Sequence, residues 1–380
     1  MSEKIRICWY CEKWQPGGIQ AVQVNLLQHM DLDRFHVDVV ISEDDTTLFD
    51  EKLRKLGVNK IVTLDNRYSD PGSRVLANIF AFARLIKQNH YDVVHLNVCH
   101  GVELLYCFWA WFYRVPVRIV HCRNNDIGAG GRSRNFKILC HNVCKRLFKN
   151  CATHKLANSD LAARWLYTAG DLQKGRVSIL RNGIDARRYS FDPQIRDQMR
   201  RELNVEQKFV VGHVGHFNYQ KNHEFLLSIF KEFLMIHPGS VLLLVGAGDN
   251  QKNIEVLARE YGIADQVIFY GVTNDIPKIM MAMDAFVFPS RFEGFGNVLM
   301  EAQACGLRCF ASDSVIPKSV QITENVTWIN LDDSPEVWAE KIHAVSFDCE
   351  RRSYVDSVID AGFDVSNMAQ ALEKIYETGR

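Results

Sequence analysis

Short apolar runs alternate with segments of helical periodicity along almost the entire chain. In the first half the runs are Ile5–Trp9, His36–Ile41, Lys60–Leu64, Asp92–Leu96, Val117–His121, Thr153–Ala157 and Arg176–Leu180. Amphipathic stretches such as Ile19–Met30, Arg74–Gln88 and Asn135–Lys149 lie between them. Near-continuous apolar strands separated by helices predict a doubly wound α/β domain with a mostly parallel sheet. The rhythm pauses at Asn182-Gly183-Ile184-Asp185 and the polar stretch up to Pro193. It resumes with Phe209–Val214, Val241–Val245, Val267–Phe269, Ala285–Phe288 and Thr327–Ile329. The pattern predicts two Rossmann-like domains facing across a cleft, 1–185 and 186–362. A C-terminal helical segment, 363–380, is expected to return to the first domain. Ligands of open parallel sheets bind at the carboxyl ends of the strands, so the chemistry is sought there.

Composition narrows the class. The 380 residues are 47% hydrophobic and 24% charged, with 45 basic and 45 acidic side chains. Zero formal charge argues against a protein that grips nucleic acid through many phosphates. The 11 cysteines are odd in number and many sit in apolar runs, which reads as free thiols in a reducing compartment. The first residues lack a signal-peptide pattern, and no apolar run is long enough for a transmembrane helix. A cytoplasmic protein is expected.

The most informative segment is Glu293-Gly-Phe-Gly-Asn-Val-Leu-Met-Glu301, which follows the run Ala285–Phe288. Gly294 and Gly296 permit a tight loop with close approach of the backbone to a ligand. Asn297 is placed to cap a helix starting near Val298. The start of that helix offers unpaired N–H groups and a partial positive charge suited to a diphosphate. The two carboxylates, one before the loop and one on the helix, can each take paired hydrogen bonds from vicinal hydroxyls of a sugar or a ribose.

This segment resembles the glutamate–seven residues–glutamate signature of family 4 retaining glycosyltransferases with the two-domain GT-B fold, a family filled by bacterial exopolysaccharide, capsule and lipopolysaccharide enzymes. The resemblance extends over Pro16-Gly17-Gly18, Arg181-Asn182-Gly183-Ile184-Asp185, Val214-Gly215-His216 through Lys221-Asn222-His223, Val245-Gly246-Ala247-Gly248 and Phe288-Pro289-Ser290-Arg291. It implies that Glu293 binds hydroxyls of the transferred sugar and Glu301 those of the ribose. Amides of Phe295, Gly296, Asn297, Val298 and Leu299 would hold sugar and diphosphate. Gly17 and Gly18 would approach the phosphates, and the backbone near Val272 would read the base. Lys221 would neutralise the leaving diphosphate, a role that physical chemistry also favours. A cation there stabilises the charge that develops as the sugar–phosphate bond breaks, and losing such a donor commonly costs roughly 3–4 kcal/mol of barrier. The donor is expected to be a UDP-sugar, with no metal and no further cofactor. The acceptor is expected to be a glycan, lipid-linked through a diphosphate.

Two positions depart from the family pattern. His216 stands where an arginine is usual, and Arg123 where a histidine is common, with His121 as the alternative equivalent. An exchange of roles is expected, Arg123 supplying the permanent charge that a histidine near neutral pH does not guarantee. Two further readings stay open: a donor-binding scaffold subunit with little catalysis, and another enzyme of this fold such as a UDP-sugar epimerase.

Asp31-Leu32-Asp33 reads as a solvated turn rather than a metal motif. Cys8 and Cys11 have redox spacing, but Cys8 lies inside a strand run. His95, Cys99 and His100 lack the second ligand pair that zinc requires. Ile127–Ser159 contains no acidic residue and seven basic ones within 132–155, among apolar positions at helical spacing. A core helix with a basic face and a helix docked on an anionic membrane surface both fit. The second would make the protein peripheral at the inner face of the cell membrane.

Overall fold

The apolar runs of the first half form a single seven-stranded parallel sheet: β1 (Ile5–Trp14), β2 (Phe35–Asp44), β3 (Asn59–Val62), β4 (Val93–Val98), β5 (Val117–Cys122), β6 (His154–Ala157) and β7 (Val177–Ile179). The second half forms a six-stranded one: β8 (Val210–Val214), β9 (Val241–Val245), β10 (Val267–Gly271), β11 (Ala285–Phe288), β12 (Arg308–Ser312) and β13 (Val326–Ile329). The computed structural model describes residues 3–64, 71–127, 132–345 and 351–379, without the side chains of 71–73, 132 and 133.

The sheet orders are β3-β2-β1-β4-β5-β6-β7 and β10-β9-β8-β11-β12-β13, with every described pairing parallel. Each sheet therefore starts in the middle, winds outward, and reverses between its first and fourth strands. That reversal is the switch point where doubly wound sheets bind ligands. Strand β12 is absent from the runs read in the sequence. Its residues, Arg-Cys-Phe-Ala-Ser, are short and only weakly apolar, although Cys309, Phe310 and Ala311 are fully buried.

The chain divides into two compact units, one of residues 1–15, 19–183 and 365–380, the other of 16–18 and 184–364. Each sheet is covered on both faces. In the first unit the two-residue period sends Ile7 and Trp9 to one core and Cys8 and Tyr10 to the opposite one. In the second unit Leu243 and Val245 face one core, Leu242 and Leu244 the other.

The helix Val365–Thr378 belongs to the first unit. Its stripe of Val365, Met368, Ala369, Leu372 and Tyr376 has helical spacing and packs into the core that holds Ile7, Trp9 and Val37. At the end of the stripe the Tyr376 hydroxyl is 2.6 Å from His95 Nδ1, and Glu373 accepts from the Asp31 amide at 2.7 Å. A C-terminal segment with this much buried surface is structural. Replacing fully buried Leu372 by alanine is expected to cost about 3 kcal/mol. Replacing exposed Lys374 by alanine should change stability by less than about 0.5 kcal/mol. Urea unfolding midpoints of the two variants test the difference.

Candidate active site

In the second unit, two loops leave the carboxyl ends of the strands that flank the switch point. The loop after β8 carries Gly215 to Asn222, and the loop after β11 carries Pro289 to Gly296. They are tied together by backbone and side chain. The Arg291 amide donates to the Gln220 carbonyl at 2.8 Å, and the Arg291 guanidinium donates to the Tyr219 carbonyl at 2.7 Å. Asn222, in the left-handed region at φ 58°, donates from Nδ2 to the Pro289 carbonyl at 3.1 Å. The β11 loop is anchored to the turn that follows β12, the Glu293 amide donating to the Val315 carbonyl at 3.2 Å.

This bracing brings Lys221 and Glu293 together. Lys221 Nζ lies 2.7 Å from Glu293 Oε1 and 4.6 Å from the centre of the Phe288 ring. Both side chains are largely buried, Glu293 almost completely. The nearby histidines are no second cation. Burial pushes His213 down to about 3 and His223 down to about 2, so both are neutral. His213 is held by the Val287 carbonyl at 2.8 Å, and His223 is stacked on Phe217. His216 is half-buried in the same loop.

The helix that follows, Asn297–Ala304, begins differently from the sequence expectation. Its capping residue is Gly296 at φ 97°, a left-handed conformation that favours glycine, and Asn297 is the first helical residue. Phe295 faces the core, so only its backbone is available to a ligand. The Leu299 amide is already engaged, donating to the Gly296 carbonyl at 3.0 Å. Gly294 and Val298 flank this turn. Glu301 is half-buried one turn into the helix, hydrogen-bonded to the Tyr189 hydroxyl, with Arg188 and Lys221 close enough to favour its charge. Burial outweighs them and pushes its carboxyl up to about 7.

Tyr189 went unnoticed in the sequence. It lies in a single 3₁₀ turn, Ala186–Tyr189, whose only signal is adjacency to Asn182–Asp185. Gly246 and Gly248 serve packing: a Cβ on Gly246 would sit 2.1 Å from the Gly215 carbonyl, and one on Gly248 2.6 Å from that of Phe217. Val272 is exposed just past β10.

Two family models together cover most of the chain. The model described as Glycosyltransferase Family 4 matches residues 16–188, and that described as Glycosyl transferases group 1 matches residues 194–357. The chain belongs to the family 4 glycosyltransferases. This transferase is 29% identical over 379 residues to a chain from Bacillus subtilis (strain 168) named as glycosyltransferase EpsF, covering 99% of this chain and 97% of that one. It is 22% identical over 307 residues to the UDP-Gal:alpha-D-GlcNAc-diphosphoundecaprenol alpha-1,3-galactosyltransferase of Escherichia coli, covering 78% and 76% of the two chains. Its fold matches the crystal structure of Anabaena Alr3699/HepE in complex with UDP and glucose, with TM-score 0.78 at 20% identity over 98% of this chain and 100% of that one. The architecture is therefore GT-B.

In the first unit of this transferase, the sequence candidates Arg123 and His121 gather at the end of β5. Arg123 follows β5 and is buried. Its Nε donates to Asn97 Oδ1 at 2.8 Å and Nη1 to Asn182 Oδ1 at 2.7 Å, while Nη2 has no hydrogen-bond partner among the described residues. Burial lowers its pKa to about 10, and it remains charged near neutral pH. His121 lies one layer deeper, fully buried, with Nδ1 3.3 Å from His95 Nε2. Burial and the Arg123 charge push its pKa well down, so it is neutral. Gly17 and Gly18 follow β1 in sequence but group with the second unit, and Gly18 opens the helix Gly18–His29.

The other sequence features resolve as follows. Asp31 is exposed and lies 3.8 Å from Arg34. Cys8 and Cys11 are both within β1, and burial pushes their thiols up, Cys11 to about 12. His100 does enter a group with metal-ligand types: ligand atoms of Glu12, His100 and Glu103 lie within 4.8 Å of one another. Glu103 has a structural task there, accepting from the Cys99 and His100 amides at 2.6 and 2.8 Å at the start of a 3₁₀ turn. The side chain of Arg132 and all of Cys349 lie outside the described residues.

The raised pKa of Glu301 has a pH consequence. The folded state favours the neutral acid. The stability this contributes is fully present below about pH 4.5 and is lost as pH rises through about 7. Glu301→Gln, always neutral and still able to accept from Tyr189, should lose less stability than wild type between about pH 5 and pH 8. Urea midpoints at the two pH values decide this, and parallel slopes would show that Glu301 ionises in the fold as it does in the unfolded chain.

Proposed function

We propose that this chain is a retaining, metal-independent hexosyltransferase that moves a sugar from a UDP-sugar to a lipid-linked glycan in bacterial surface polysaccharide biosynthesis. The observation that carries the reading is the buried Lys221–Glu293 pair, set at a strand switch point beside a glycine-led helix start, with Glu301 on that helix. UDP is favoured because the HepE structure holds UDP and glucose and the Escherichia coli relative is named for UDP-Gal. A diphosphate-lipid acceptor is favoured by the latter's diphosphoundecaprenol substrate.

The residues divide the work by charge. In the unliganded pair, Lys221 and Glu293 neutralise each other. A donor diphosphate gives Lys221 a stronger anion, and Glu293 is released to accept from hydroxyls of the sugar. The amides at the start of the helix and its partial positive charge add to Lys221 at the phosphate. As the sugar–phosphate bond breaks, negative charge builds on the leaving oxygen, and these fixed donors gain strength at the moment they are needed. Glu301 holds the ribose hydroxyls, with Tyr189 fixing its orientation, and the backbone near Val272 contacts the base. Gly17 and Gly18 leave room for phosphate. Attack from the face that the diphosphate leaves retains configuration, and a donor phosphate oxygen takes the acceptor proton. Arg123, held by two neutral amides with one Nη unsatisfied among the described residues, supplies the second cation in place of His216.

Lys221→Ala removes the cation and strands a buried carboxylate. It is expected to lower kcat by about a hundredfold to a thousandfold. A thermal-shift panel of UDP, GDP, ADP and several UDP-sugars on wild type and Glu301→Ala tests the donor. A ligand at a hundredfold its Kd stabilises by about 2.7 kcal/mol, so one UDP-sugar should stand out and Glu301→Ala should lose the shift. Product anomeric configuration by NMR, measured with and without chelator, tests retention and metal independence. Nucleotide binding without turnover on any acceptor would favour the scaffold reading, and interconversion of UDP-sugars without acceptor would favour an epimerase. If Arg123→Ala binds and turns over as wild type does, the exchange with His216 is wrong.

A further inference from the structure

Three helices of the first unit form a surface that nothing above uses. They are Pro71–Asn89, Leu104–Phe112 and Arg132–Leu147, and the middle one packs against both of the others. Exposed large apolar side chains concentrate on them: Phe80, Trp111, Phe112, Phe136, Leu139 and Leu147, with Phe136 67% and Leu147 69% exposed. The apolar surface is continuous between helices. The Phe80 and Trp109 rings are 6.4 Å apart, and Phe108 lies 6.3 Å from Phe112 and 5.5 Å from Phe148. Singly scattered exposed hydrophobics are ordinary, whereas a joined aromatic patch marks a docking face.

Charge identifies what docks. The three helices contain eight Lys and Arg and not one Asp or Glu. An even spread of the chain's 45 acidic residues would place about five there. Arg74 and Arg134 are paired with Glu43 and Asp126, while Lys137 and Arg146 are exposed on the same helix as Phe136 and Leu147. We propose that this three-helix face docks on an anionic lipid bilayer, its Phe, Trp and Leu side chains entering the headgroup boundary and its Lys and Arg side chains meeting lipid phosphates. Interfacial helices combine these features, and the two terms act together. A second copy of the chain fits poorly, because a twofold contact would set the same basic face against itself. The inference stands apart from the transfer reaction, since it needs neither donor nor acceptor.

Flotation with vesicles of phosphatidylglycerol and phosphatidylcholine in equal parts tests it, with pure phosphatidylcholine as reference. Wild type should float with the anionic vesicles and bind the neutral ones at least about tenfold less. Added salt should weaken the anionic binding. The variant Phe112→Ser/Phe136→Ser/Leu147→Ser and the variant Lys137→Glu/Arg146→Glu should each lower partitioning at least about tenfold. Both should keep the wild-type unfolding midpoint, since the altered side chains are exposed. If the apolar triple unfolds, the charge pair alone decides the question. Absence of flotation, equal flotation of wild type and the charge pair, or a wild-type dimer that the substitutions dissolve and that does not float would overturn the proposal.

Discussion

Parallel pairing governs nearly everything in this molecule. A parallel strand cannot be joined to its neighbour by a tight turn, so the chain must cross back each time, usually through an α-helix. Helices then cover both faces, and the strands are buried on both sides. Every loop that leaves the carboxyl edge is tethered at its start by a strand with no freedom to shift register. Lys221 and Glu293 owe their pairing to this. They are 72 positions apart in sequence, yet β8 and β11 are adjacent strands, and the loops that leave them can meet only at one edge. The cost of burying two charges is offset by proximity and by the surrounding braces.

The same constraint explains how much could be read from the sequence. Strands buried on both faces are continuous apolar runs, and these stand out: β4, β5, β9 and β11 are visible at once. A weakly apolar strand does not stand out, even inside the sheet. Strand β12 escaped because cysteine, alanine and serine can fill a buried strand without marking it. The signature from Glu293 to Glu301 was legible because glycines and carboxylates are informative when spaced around a helix start. The detail of that start was not. A capping asparagine and a left-handed glycine both suit the position, and only backbone geometry decides for Gly296.

Residues that act through a partner were harder to find than those that act alone. Tyr189 orients Glu301 from more than a hundred positions away, and a tyrosine after a hinge carries no pattern. Arg123 was legible as a departure from its family, but its tethering by Asn97 and Asn182 was not. His121, offered as an alternative, is interior to the sheet layer and hydrogen-bonded to His95, a placement that follows from the two-residue period of β5. The basic stretch near 132–155 looked like a property of one helix. In the fold it is one third of a larger face, because charge and aromatic character are shared with helices distant in sequence.

The C-terminal helix bears on how the protein is made. Leu372 and Tyr376 complete a core begun by Ile7 and Trp9 of β1, which is made well before them. The first unit therefore cannot complete this core until the helix Val365–Thr378 has been synthesised and has left the ribosome. The second unit, whose cores are built entirely from residues 184–363, has all its parts available earlier. The half of the molecule that is synthesised first is the half that finishes last. Until then it waits with an apolar face uncovered.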